Sequence, residues 1–136
     1  MTGKENVIKK WIQKAEVDIK TAKILIESED SPTESICFHV QQAVEKFLKA
    51  YLTYMDIRAG KTHDIVALLE MCIEKDKEFK NLDTEKLGNL TFYAVDVRYP
   101  ETLYTPSLEE AQETLELAEK VKSFVLKKLG KDQDGR

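Results

Sequence analysis

FHVQQAVEKFLKAYLTYMDIRAGKTHD, residues 38–64, decides the fold class of this chain. Val40, Val44, Phe47, Tyr51 and Met55 recur at intervals of three or four, and Ile36 extends the series backwards. That spacing is one apolar face of an amphipathic α-helix. Gln41, Gln42, Glu45, Lys46 and Lys49 run beside the stripe. Gly60 is a helix stop, and the loop around it carries Arg58 and His63 in an R-x4-H arrangement.

Working outward, the same period recurs on both sides. Trp11, Ala15, Ile19, Ala22 and Ile26 predict a first helix from about Lys4 to Glu29. Ser31-Pro32-Thr33-Glu34 reads as a capping box opening the second helix. Thr62 reads as the cap of a third helix, with His63 and Asp64 in its first turn and Ile65, Leu68, Leu69 and Cys72 inside. Asp83 reads as the cap of a fourth, with Leu87, Leu90, Ala94 and Val97 inward and its end at Arg98-Tyr99-Pro100. Ser107-Leu108-Glu109-Glu110 is a further capping box, followed by Ala111, Leu115, Ala118, Val121 and Val125, with Gly130 as the stop. The expectation is an all-α, antiparallel up-and-down bundle of about five helices. It forms one domain over residues 1–130, with a polar, disordered tail at 131–136.

Bulk properties narrow the function classes. The balance of 21 Lys and Arg against 25 Asp and Glu gives a net charge of −4, so any nucleic-acid site must be a local basic patch. Cys37 and Cys72 each sit in an apolar helical pattern and read as small buried hydrophobes, not zinc ligands. No apolar run reaches the roughly 18 residues of a membrane span. MTGKENVIKK lacks a signal-peptide core. The expected location is the cytoplasm, with no membrane, metal or cofactor.

Few residues offer chemistry. A neutral imidazole at His63 can act as a general base, or it can simply bond a loop carbonyl. The planar fork of Arg58 suits a phosphate, or equally a helix C-terminus. Arg98 has the same two readings. Phe38, Lys49 and Leu52, beside Gln41 and Glu45, define a mixed second face on helix two. Such a face fits a dimer interface, a cleft wall or a border packed within the monomer. His39 lies on a helix face with no ligand set evident. No G-x-S-x-G, Walker or Rossmann pattern occurs.

The chain resembles the HEPN family of small helical domains. The resemblance is carried by Trp11-x3-Ala15-x2-Asp18-x3-Ala22, by FHVQQAVEKFLKAYL from Phe38, by THDI from Thr62 and by VRYP from Val97. It implies a bundle of about five helices, usually a homodimer, and in many prokaryotic members a minimal nucleotidyltransferase partner, as in toxin–antitoxin pairs. It also implies that some members are metal-independent ribonucleases whose Arg and His meet across the dimer. Carried over, those residues are Arg58 and His63. His63 and Arg98-Tyr99 match the pattern of the branch this chain resembles more closely.

Three functions follow as expectations. One is a dimeric module binding a nucleotide through Lys46, Lys49, His63, Arg98 and Tyr99. A second is a ribonuclease using Arg58 and His63 on RNA. The third is a helical adaptor without a ligand. The expected homodimer places Phe38, Gln41, Glu45, Leu52 and Tyr93 at its interface or cleft.

Overall fold

Ile36, Val40, Val44, Phe47 and Tyr51 all lie inside the protein, as the period of that stretch requires. The structure, a computed structural model, describes residues 2–94 and 104–135. Its α-helices are α1 (Gly3–Ile26), α2 (Thr33–Tyr54), α3 (Ile65–Lys75), α4 (Thr84–Asn89) and α5 (Leu108–Lys128). Short 3-10 turns occupy Lys77–Asn81 and Leu90–Ala94, and no strand occurs among the described residues. The all-α bundle is therefore the observed class.

Helix α2 is the axis of the bundle. It packs against α1, α3, α5 and the Leu90–Ala94 turn. Its buried residues include Gln41, Glu45 and Lys49 as well as the apolar stripe. Helix α1 runs antiparallel to it: Lys4 bonds Asp56 at one end, and Asp18 bonds Lys46 further along. Helix α5 runs antiparallel to α1, pairing Glu119 with Lys23 and Lys122 with Glu16. Consequently α2 and α5 point the same way, and residues 55–107 cross over between them. At one end Phe79 lies between Tyr51 and Phe124, with ring centroids 4.6 and 4.8 Å away.

Helix ends depart from the sequence reading in instructive ways. Helix α1 starts at Gly3, one residue before the expected Lys4, with a capping box at Thr2: Glu5 N–H donates to Thr2 Oγ1 at 3.0 Å and Thr2 N–H to Glu5 Oε2 at 3.3 Å. The inner face of α1 is Ile8, Ile12, Ala15, Ile19 and Ala22, and Trp11 and Ile26 are only partly buried. The box expected at Ser31 does not form. Pro32 is the N-cap of α2 without a side-chain cap bond. Ser31 Oγ instead donates to the carbonyls of Ile26 and Ser28, both at 3.0 Å, where the end of α1 leaves acceptors open.

Helix α2 ends at Tyr54, before Gly60. Ile57 N–H donates to Leu52 O at 2.8 Å and Asp56 N–H to Thr53 O at 3.0 Å, with Asp56 at φ 60°. That is a Schellman closure with Asp in the left-handed position. Gly60 takes its positive φ of 70° inside the loop. Asp64, not Thr62, caps α3 by accepting from Val66 N–H at 2.9 Å. His63 therefore precedes the cap and is not in a first helical turn.

Asp83 caps α4 as expected, accepting from Lys86 N–H at 3.1 Å, and Leu87 and Leu90 are buried. The fourth helix is short, however, and gives way to a 3-10 turn at Leu90. Val97, Arg98, Tyr99 and Pro100 lie outside the described residues. Ser107 caps α5 by accepting from Glu110 N–H at 3.0 Å. Gly130, at φ 71°, closes it with bonds from Gly130 N–H to Lys127 O and Lys131 N–H to Leu126 O.

Both cysteines are free and buried. Burial raises the Cys37 thiol and pushes Cys72 up to about 12. A thiol so raised stays protonated and is a poor nucleophile, which agrees with their reading as small hydrophobes.

Candidate functional site

The loop between α2 and α3 doubles back along α2. It leaves Tyr54 at one end of the helix and brings His63 opposite Gln41 and Glu45, near its middle. Gln41 Nε2 donates to His63 O at 3.5 Å. His63 Nδ1 lies 2.5 Å from Glu45 Oε1. The same carboxylate oxygen accepts from Lys49 Nζ at 3.1 Å. Glu45 and Lys49 side chains are only 3% and 7% exposed, whereas the His63 side chain is 72% exposed. A buried ion pair therefore stands behind an exposed imidazole.

Lys49 also faces outward from that pair. Its Nζ sits 5.4 Å from the centroid of the Trp11 ring, within cation–π range. Lys49, Trp11, Lys4, Thr53 and Arg58 line a groove of about 410 Å³ between α1, α2 and the loop. Within it Lys4 is already paired with Asp56 at 3.1 Å. Arg58 is exposed, lines the groove and bonds no described residue. Two of the three cations are held by Asp56 and Glu45, so Arg58, beside the indole, is the one left to take an anionic group attached to a flat ring.

A second acid–base cluster lies further along the α1–α2 contact. Asp18, buried on the core face of α1, takes His39 Nδ1 at 2.8 Å on one oxygen and Lys46 Nζ at 2.5 Å on the other. His39 thus has a carboxylate partner that sequence reasoning did not find. The available signal was Asp18 itself, which falls at the inward spacing of Ala15, Ile19 and Ala22. A carboxylate there needs a cation from a neighbouring helix.

The sequence-derived residues divide accordingly. Arg58 and Lys49 share the groove, and His63 reaches Lys49 through Glu45. Lys46 is engaged by Asp18 and is not among the groove residues. Gln41 and Glu45 are buried within the chain, bonding the His63 loop. Leu52 is wholly buried in the core, which corrects its placement on an outer mixed face: α2 is covered on that side by the chain itself. Phe38 is exposed, its ring edge-on to His39 at 5.5 Å. Arg98 and Tyr99 are outside the described residues. Trp11 and Lys4 are groove residues that periodicity alone assigned to scaffolding.

Tyr93 lies in a different concavity, of about 590 Å³, between α4 and α5. Burial raises its phenol, and the nearby Glu110 carboxylate raises it further. Asp83, Glu110, Glu113 and Glu116 outnumber Lys86 and Lys120 on those walls. Despite its larger volume, that acidic lining repels a phosphate, and the groove at Arg58 is the better anion site.

Comparison with known proteins bears on this arrangement as a whole. No solved structure matches the chain. A protein of Methanocaldococcus jannaschii named "Putative toxin MJ1304" is 34% identical over 143 aligned positions, which cover 92% of this chain and 92% of that one. Residues 8–129 match the HEPN domain family. The match takes in α1 from Ile8, all of α2, the returning loop with its Arg58 and His63, and all of α3 to α5. This chain belongs to the HEPN domain family.

Proposed function

We propose that this protein is a nucleotide-binding accessory module of a toxin–antitoxin-like pair, working as a homodimer with a minimal nucleotidyltransferase. The observation that carries the reading is the groove in which Arg58 and the Lys49 ammonium converge beside the Trp11 indole. Arg58 would take phosphate oxygens with its planar fork, and Lys49 would add a point charge. The indole offers a flat face to a base. The name of the Methanocaldococcus jannaschii relative supports the toxin-like setting. Equilibrium titration with ATP tests the ligand. Saturable binding is expected, and Arg58→Ala should weaken it about tenfold, the scale of one hydrogen bond to a charged group. An affinity unchanged in that variant overturns the site. Sedimentation at micromolar concentration tests the assembly, and a strictly monomeric species overturns the dimer.

The hydrogen bond from His63 to a buried carboxylate favours a second reading, a metal-independent ribonuclease. His63 would take the proton of a ribose 2′-hydroxyl, whose oxygen attacks the adjacent phosphorus and breaks its bond to the 5′-oxygen of the next nucleotide, which takes a proton from water and leaves as an alcohol. Arg58 would stabilise the charge on the phosphorane, and the product would carry a cyclic phosphate. Cleavage of single-stranded RNA in excess chelator, lost in His63→Ala, is the expected result. RNA left intact by folded protein removes this reading and leaves the binding module.

A further inference from the structure

We infer that Glu45 is a positioning residue for His63, fixing the imidazole as its Nδ1–H tautomer with Nε2 left open on the exposed side of the ring. The inference rests on the proposed function only in making His63 a ligand-facing group. An ionised carboxylate can only accept hydrogen bonds. Glu45 Oε1, 2.5 Å from Nδ1, therefore requires the proton on that nitrogen. A free histidine side chain in water favours the opposite tautomer, with its proton on Nε2.

The surroundings make this a prepared arrangement. Glu45 cannot swing away: its Oε1 also holds Lys49 at 3.1 Å, and its Oε2 accepts from Gln42 Nε2 at 3.4 Å. Gln42 in turn bonds Gln41 Oε1 at 2.7 Å, and Gln41 holds the His63 carbonyl. Side chain and main chain of His63 are thus both tied to α2, although the ring itself is mostly exposed. An exposed imidazole without such ties samples several rotamers. No described residue bonds Nε2. With Nδ1 protonated, Nε2 of the neutral ring carries the lone pair, so it can accept a proton or a hydroxyl hydrogen. A third group orienting the base is the general logic of activated sites. Charge balance for Lys49 alone would place no demand on the tautomer of His63.

The deciding experiment is long-range nitrogen–proton NMR on the intact protein, at a pH where the imidazoles are neutral. His39→Gln assigns the two ring systems. The expected signal for His63 is the Nδ1–H pattern. An Nε2–H or averaged pattern overturns the inference even if ATP binds well. Affinity for ATP adds a second arm through Glu45→Gln. A positioning role predicts about a tenfold loss in the wild-type background and no further change in His63→Ala, since coupled residues are not additive. Simple electrostatics predicts tighter ATP binding in both backgrounds, because the carboxylate that neutralises Lys49 of the groove has gone, and that result also overturns the inference. If His63 shows the Nδ1–H pattern and ATP does not bind, the nucleotide reading fails and the positioning stands.

Discussion

Glu45→Ala is expected to lower the folding free energy by about 3–5 kcal/mol, the cost of removing one partner from a buried ion pair. The carboxylate lies beneath the surface and takes bonds from Lys49, His63 and Gln42. Its loss leaves the Lys49 ammonium, itself 7% exposed, without a counter-charge. Adding Lys49→Met to the same protein should recover much of the loss, because the orphaned charge is then gone and an unbranched apolar chain remains against Trp11. Urea denaturation of the two variants measures both quantities. A loss under about 1 kcal/mol for the single variant is what a solvated surface pair would give, and it would contradict the buried bridge.

Phe79→Ala is expected to cost a similar amount, about 3–5 kcal/mol, for a different reason. Phe79 is wholly buried in the 3-10 turn after α3 and packs edge-on between Tyr51 of α2 and Phe124 of α5. Removing the ring opens a cavity where three elements meet and forfeits two aromatic contacts. Phe79→Leu keeps most of the apolar volume and should cost considerably less. Near-equal urea midpoints for Phe79→Ala and the wild type would mean that this end of the bundle collapses to fill the space.

Both residues show where the sequence was legible and where it was not. The helices were legible because their apolar period is strong: the inner positions of α2, α3 and α5 lie where the spacing puts them, apart from a half-buried Leu115 and Met55. Phe79 was not, because a short 3-10 turn has no period to detect. Caps were partly legible. Asp83 and Ser107 both cap, although the box expected at Ser107 lacks the return bond to the Glu110 carboxylate, and Ser31 turns back to the end of α1, a choice set by carbonyls that a linear pattern does not contain. The stop at Gly60 misled because Asp56 takes the left-handed position four residues earlier.

The site was legible as a list of residues and not as an arrangement. Arg58, Lys49, His63 and Glu45 were all singled out, yet nothing in their spacing says that the loop returns to the middle of α2. Ile57 N–H turning back onto Leu52 O starts that return, and Gln41 and Glu45 fasten its far end. Lys46 and Lys49, three residues apart on one helix, were grouped together. The structure separates them by partner: Asp18 takes the first and Glu45 the second. Only packing of α1 against α2 decides that division.

The groove at Arg58, and not the larger acidic one at Tyr93, is expected to receive a nucleotide. Mapping backbone amide shifts of the labelled protein during an ATP titration tests it directly. Saturable shifts concentrated in residues 55–64 are expected, with Trp11 and Lys49 following the same curve. Shifts confined to the α4–α5 concavity around Lys86 and Lys120, or none at all, would contradict it.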